Sequence, residues 1–205
     1  MKNLDGIIFD VDGTLWDATH EGAASWTDTI RRESELSITL DSAKLKSVFG
    51  KPMDQICDAL FPMLSRKARL ELGNQCFSEE IDWLRKHKVP LYDHVDETLE
   101  KLSARVPLFI VSNCQSGYIE VMMETNGMEE FISGHLCFGD TGLEKWETIH
   151  QLMKEHHLKQ VVYVGDTQGD YDACQKAGIP FIFASWGYGI IKNPPVRIDD
   201  IRDLL

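Results

Sequence analysis

The chain has 205 residues, 43% of them hydrophobic and 26% charged, with a formal net charge of −12. That length suits one good core, or a core with a small accessory unit, and the composition is ordinary for a soluble globular protein. No run of about 18 apolar residues is present, so no membrane span is expected, and the acidic balance disfavours nucleic acid or an anionic membrane as partner, since both need a basic face.

The N-terminus, Met1-Lys2-Asn3-Leu4-Asp5, runs almost at once into an apolar segment, and no signal peptide is expected there. The five cysteines (Cys57, Cys76, Cys114, Cys137, Cys174) are scattered and never C-x-x-C. That pattern argues against a zinc site and for free thiols in a reducing cytoplasm.

The first informative stretch is Gly6-Ile7-Ile8-Phe9-Asp10-Val11-Asp12-Gly13-Thr14-Leu15. A short apolar run bounded by turn residues reads as a buried strand. If the chain stays extended past Phe9, Asp10 and Asp12 leave the sheet edge on the same side. Two carboxylates in one small site repel each other unless a cation shares them. Gly13 permits a positive φ or a close backbone approach, and the Thr14 hydroxyl with nearby N–H groups can hold an anion. A solvated Asp-x-Asp-Gly turn is the plain alternative. A calcium loop of the EF-hand type is a third, although Thr14 sits at its fifth position and the upstream run is a strand pattern rather than a helix.

Residues 16 to 88 carry no strand pattern. Glu21 to Glu33, Asp41 to Phe49, Met53 to Phe61 and Ser65 to Lys86 read as helices, the last with Leu70, Phe77, Ile81 and Leu84 at helical spacing. Asp41 and Ser65 are candidate N-caps, and Gly50-Lys51-Pro52 and Phe61-Pro62 break the run. The segment is long enough for a small all-helical domain.

From Pro90 the pattern alternates. Val95 to Ala104 is a helix and Pro107 to Val111 a buried strand ending at Ser112-Asn113. Gly117 to Asn126 is a helix stopped by Gly127, and Leu136 to Phe138 a short strand. Lys145 to His157 is an amphipathic helix. Val161 to Val164 is a strand ending at Gly165-Asp166, and Gln168 to Ala177 a helix closed by Gly178. Pro180 to Ala184 and Val196 to Ile198 are strand candidates, and a final half-turn of helix follows. Helices alternating with near-continuous apolar strands predict an α/β fold, a parallel Rossmann-like sheet with helices on both faces. The expected division is a core of residues 1–15 and 89–205 with a helical cap at 16–88.

Three strands thus end in chemically marked residues: Asp10 and Asp12; Ser112 and Asn113; and Gly165, Asp166 and Asp170. Open α/β sheets bind ligands beyond the carboxyl ends of their strands, so one site can collect all three sets.

Asp10-x-Asp12-Gly13-Thr14-Leu15, Ser112-Asn113, Lys145 before an amphipathic helix, and Gly165-Asp166-Thr167-x-x-Asp170 resemble, in order, the four motifs of the haloacid dehalogenase superfamily. The helical insert after the first motif resembles the cap of its phosphoglycolate-phosphatase-like and β-phosphoglucomutase-like branches. One departure is Lys145-Trp146, where the family usually has Lys-Pro. The resemblance implies a Mg²⁺-dependent phosphatase that hydrolyses a small phosphorylated metabolite through an aspartyl-phosphate. It implies Asp10 as nucleophile and Asp12 as general acid and base. Asp10, the Asp12 carbonyl and Asp166 would hold the metal, with Asp170 acting on it less directly. Ser112 and Asn113 would hold phosphoryl oxygens, and Lys145 would neutralise charge. Trp16 is a candidate wall of the substrate space or a hinge-packing aromatic, and Lys51 a candidate contact to the leaving group. A monomer or weak homodimer is expected. A phosphomutase with the same aspartates, and a catalytically idle binding or regulatory module, are the alternative readings.

Overall fold

In the computed structural model, which describes residues 4–205, six strands form one sheet in the order β3-β2-β1-β4-β5-β6. The strands are β1 Gly6–Phe9, β2 Leu108–Ser112, β3 Ile132–Cys137, β4 Val161–Gly165, β5 Phe181–Ala184 and β6 Arg197–Ile198. Every neighbouring pair is parallel. β1 is central, with Ile8 in register with Phe109 of β2 and Tyr163 of β4. The chain winds outward from β1 through β2 to β3, then returns to lay β4 on the other side of β1. The strand order therefore reverses at β1, which opens a crevice at the strand ends. The Met1-Lys2-Asn3 segment, on which the leader reading partly rests and where the expected core begins, lies outside the described residues.

Alternation along β1 divides the packing. Ile7 and Phe9 face a core shared with Leu108 and Ile110, with helix α5 (Val95–Ser103) and with helix α6 (Tyr118–Asn126). Ile8 points to the opposite face, where Phe109, Val111 and Tyr163 meet helices α8 (Lys145–Glu155) and α9 (Gln168–Ala177). Both faces are covered, which is why these strands read as unbroken apolar runs.

Between β1 and α5 come four helices: α1 Thr19–Glu33, α2 Ser42–Lys46, α3 Met53–Leu60 and α4 Arg66–Lys86. They bury a separate apolar cluster around Trp26, Phe61 and Phe77, with Trp26 and Phe77 edge to face at 5.0 Å. Asp41 and Ser65 cap α2 and α4 through Lys44 N and Ala68 N. Each supplies an acceptor for an N–H that the first helical turn leaves unpaired. In α4 the buried stripe is Leu72, Cys76, Phe77, Glu80 and Leu84, with Leu70 and Ile81 only partly buried.

Two local expectations are corrected. The strand expected at Leu136 to Phe138 runs from Ile132 to Cys137, and Phe138 instead opens the short helix α7, Phe138–Thr141. Its pairing with the buried β2 overrides a weak local signal from Ser133, Gly134 and His135. The chain also stays in the ladder only as far as Asp10, whose N–H still bonds Val164 O, and then turns: Thr14 N and Leu15 N both return to Val11 O.

Candidate active site

β1 delivers Asp10 at its carboxyl end, and β4 delivers Asp166 beside it. Helix α9 starts immediately afterwards and contributes Asp170 from its first turn. Carboxylate oxygens of Asp10, Asp166 and Asp170 lie within 4.8 Å of one another, and all three residues are buried. Helix α8 begins with Lys145, whose Nζ is 3.0 Å from Asp10 Oδ1 and 2.5 Å from Asp170 Oδ1. The same ammonium lies 5.7 Å from the centre of the Tyr163 ring.

Three buried carboxylates thus face a single buried ammonium. Burial raises the Asp10 pKa above the usual carboxylate range, and repulsion from Asp170 adds to it against the opposing pull of Lys145. Asp166 is raised for the same reason, burial first and then Asp170 and Asp10. Burial works against the Lys145 charge, but the Asp10 and Asp170 carboxylates outweigh it and hold that pKa above the usual lysine value. Excess negative charge on hard oxygen donors, closely spaced and shielded from water, is the setting that a divalent cation such as Mg²⁺ stabilises. The donor set fits such an ion.

Each carboxylate is held from behind. Asp166 Oδ2 accepts from Tyr188 N at 2.6 Å and Oδ1 from the Thr14 hydroxyl at 3.3 Å. Asp170 Oδ2 accepts from Thr167 N at 2.9 Å and Thr167 Oγ1 at 2.6 Å, a capping box at the start of α9. Asp170 therefore both caps its helix and orients Lys145. Gly13 adopts φ +81°, and a Cβ there would sit 2.3 Å from Asp166 Oδ2. Only glycine fits both the backbone conformation and the contact.

Asp12 stands apart from this group. Its Oδ1 accepts a 2.8 Å hydrogen bond from the Tyr118 hydroxyl. Burial raises its pKa well above the ordinary value despite that bond, with further repulsion from Asp10, Glu80 and Asp166. Asp12 instead lines a cavity between the strand ends and the helical insert, with Phe49, Lys51, Phe77, Glu80, Ser112, Asn113, Gln115 and Tyr118 around it. Ser112 ends β2 there and is buried. Asn113 Nδ2 donates to Gly50 O at 2.8 Å, which pins the Gly50-Lys51-Pro52 loop over the strand ends.

One expected contact is revised. Thr14 is fully buried and its hydroxyl is spent on Asp166, so it supports a carboxylate instead of offering an open anion contact. Trp16, expected either to wall the substrate space or to pack as an aromatic, is fully buried in the main core, edge to face with Tyr118 at 5.4 Å. Four residues outside the motifs also touch this region: Tyr118, Tyr188, Glu80 and Gln115. Gln115 Nε2 donates to Glu80 Oε2 at 2.9 Å, joining the loop after β2 to α4. Tyr188, besides its amide on Asp166, donates its hydroxyl to Asp17 Oδ1 at 2.9 Å, and Lys46 pairs with Asp17 at 2.6 Å. Position after Ser112-Asn113 was the available signal for Gln115 and Tyr118; no local signal marks Tyr188 or Glu80.

A parallel α/β sheet with buried carboxylates at the ends of its central strands defines an enzyme fold with its site in the crevice. The model of the haloacid dehalogenase-like hydrolase family matches residues 7–184, and the chain belongs to that family. Among similar proteins, a phosphoglycolate phosphatase of Xanthomonas campestris pv. campestris is 28% identical, covering 96% of this chain and 90% of its own. A phosphoglycolate phosphatase of Salmonella typhi is 22% identical over all of this chain and 92% of its own. The crystal structure of a haloacid dehalogenase-like hydrolase from Bacteroides fragilis superposes with a TM-score of 0.85 at 17% identity, covering 99% of this chain and all of that one.

Proposed function

We propose that the protein is a Mg²⁺-dependent phosphatase that hydrolyses a small phosphorylated metabolite through an aspartyl-phosphate. The observation that carries this reading is the buried Asp10, Asp166 and Asp170 group with Lys145 at the carboxyl ends of β1 and β4. Asp10 attacks phosphorus as the ester P–O bond breaks. Asp12 protonates the departing alkoxide, then takes a proton from the water that hydrolyses the aspartyl-phosphate. Lys145 offsets charge on Asp10 and on the transferring group, and the Gly13 backbone with Ser112 and Asn113 holds phosphoryl oxygens. Asp10, the Asp12 carbonyl and Asp166 hold Mg²⁺, with Asp170 acting on it less directly; the ion supplies further stabilisation of phosphoryl charge.

Residues 1–15 and 89–205 form the catalytic core in this reading, and residues 16–88 form a cap that excludes bulk water when closed. Lys51 meets the leaving group from that cap. Because curated relatives are named phosphoglycolate phosphatases, phosphoglycolate is the first ester to try. The test is release of inorganic phosphate from a panel of small phosphate esters, with Mg²⁺ or with EDTA. Stoichiometric, Mg²⁺-dependent release that disappears in Asp10→Asn is expected. Turnover retained by Asp10→Asn, or phosphate returned to sugar instead of water, overturns it.

A further inference from the structure

The Asp12 carboxylate accepts a hydrogen bond from a residue outside the motifs. Tyr118 opens α6 directly after Gly117, which adopts φ +88° and turns the chain into the helix. Its ring is buried against Trp16, so the hydroxyl has little freedom, and it reaches Asp12 Oδ1 at 2.8 Å. A phenol hydroxyl has one proton to donate, and here it goes to Oδ1. The other oxygen, Oδ2, has no hydrogen-bond partner among the described residues, while Asp12 lines the cavity next to Ser112 and Asn113.

We propose that Tyr118 is a positioning residue that holds the Asp12 carboxyl by Oδ1, so that the proton exchanged with the leaving oxygen travels on Oδ2. The inference rests on the phosphatase reading. In the first half-reaction the Oδ2–H bond breaks as its proton joins the ester oxygen, while the Asp10 oxygen bonds to phosphorus and the ester P–O bond breaks. Tyr118 then donates to the resulting carboxylate. In the second half-reaction Oδ2 accepts a proton from water as that water attacks phosphorus and releases Asp10, which restores the starting carboxyl. Proton delivery matters most where the departing alcohol is a poor leaving group, because an aryl oxide departs without it. Tyr118 thereby favours esters of aliphatic alcohols.

The test compares kcat/KM, which reports the step that expels the alcohol, for p-nitrophenyl phosphate and β-glycerol phosphate in the wild type, Tyr118→Phe and Asp12→Asn. Phe keeps the ring against Trp16 and removes only the donor, and its thermal unfolding is measured alongside. For Tyr118→Phe, a loss for the alkyl ester about tenfold greater than for the aryl ester is expected, on the scale of general acid catalysis. Asp12→Asn should show the same asymmetry, larger. If Asp12→Asn shows the asymmetry and Tyr118→Phe does not, the positioning role is overturned while the catalytic reading stands. If Asp12→Asn lowers both esters alike, the general-acid reading itself fails. A crystal structure of Tyr118→Phe gives a readout that does not depend on turnover: a displaced Asp12 carboxyl supports the proposal, and an unmoved one refutes it.

Discussion

The Lys145 ammonium stands 3.0 Å from the Asp10 carboxylate although 135 residues separate them in the chain. The pair joins two elements at the site, since Asp10 directly follows β1 and Lys145 begins α8. Replacing Lys145 by Met leaves buried carboxylates without their ammonium. Removing one partner of a buried pair costs about 3–5 kcal/mol, and loss of one charge-stabilising donor costs roughly 10²–10³ in kcat. Lys145→Met is therefore expected to lower both. Added Mg²⁺ should restore part of the thermal midpoint and little of the turnover, as read by melting curves and phosphate release with and without the ion.

Asp166 gives the opposite sign in the metal-free protein. Burial and the neighbouring Asp170 and Asp10 push its pKa up, so its charge is a liability until a cation arrives. An Asn there can still accept from Tyr188 N and meet the Thr14 hydroxyl. Asp166→Asn should raise the metal-free midpoint by a few degrees, at about 2–4 °C per kcal/mol for a chain of this size. Mg²⁺ should then add nothing, whereas in the wild type the ion raises stability with concentration, by about 2.7 kcal/mol at a hundredfold excess over Kd. A midpoint that still climbs with Mg²⁺ in the variant would place the ion elsewhere.

Glu80 supplies a pH test away from the acidic group. Burial pushes its carboxyl up from 4.5 to about 7, opposed by the Gln115 hydrogen bond. A carboxyl raised in the folded state binds its proton more tightly there than when unfolded. Its contribution is complete below about pH 4.5 and is lost as pH rises through about 7. The full effect is roughly 3 kcal/mol. Glu80→Gln keeps an acceptor for Gln115 and removes the titration. The stability difference between variant and wild type, followed by chemical denaturation, should move in favour of the variant from pH 4.5 to 8. A constant difference across that range would refute the assignment.

Gly13→Ala tests the close approach beneath Asp166. The left-handed conformation costs an alanine about 1–2 kcal/mol, and the new Cβ would lie 2.3 Å from Asp166 Oδ2. The carboxylate must move, so Mg²⁺ affinity should fall at least tenfold with the fold retained. Calorimetric titration with Mg²⁺ and circular dichroism check the two halves; unchanged affinity would show that Asp166 is not committed to the metal.

The fold was largely legible because its strands are buried on both faces. Ile7 to Phe9, Leu108 to Val111 and Val161 to Val164 carry the apolar signal undiluted by an exposed side. Helix ends were legible wherever a local cap exists, as at Asp41, Ser65 and Gly178. β3 was the least legible, because Ser133, Gly134 and His135 take their strand conformation from pairing with β2.

Within the site, the order of the aspartates along the chain and their places at strand ends were determined by the amino-acid sequence alone, since hydrophobic periodicity and turn chemistry act over a few residues. Which oxygen meets which partner was decided only by the tertiary structure. Tyr118 lies 106 residues from Asp12, and Tyr188 lies 22 from Asp166. Thr14 lies 152 residues from the carboxylate it supports. Such contacts arise from the crossing of the chain at β1 and the tight turn closed on Val11 O, and no local propensity encodes where two remote side chains come to rest.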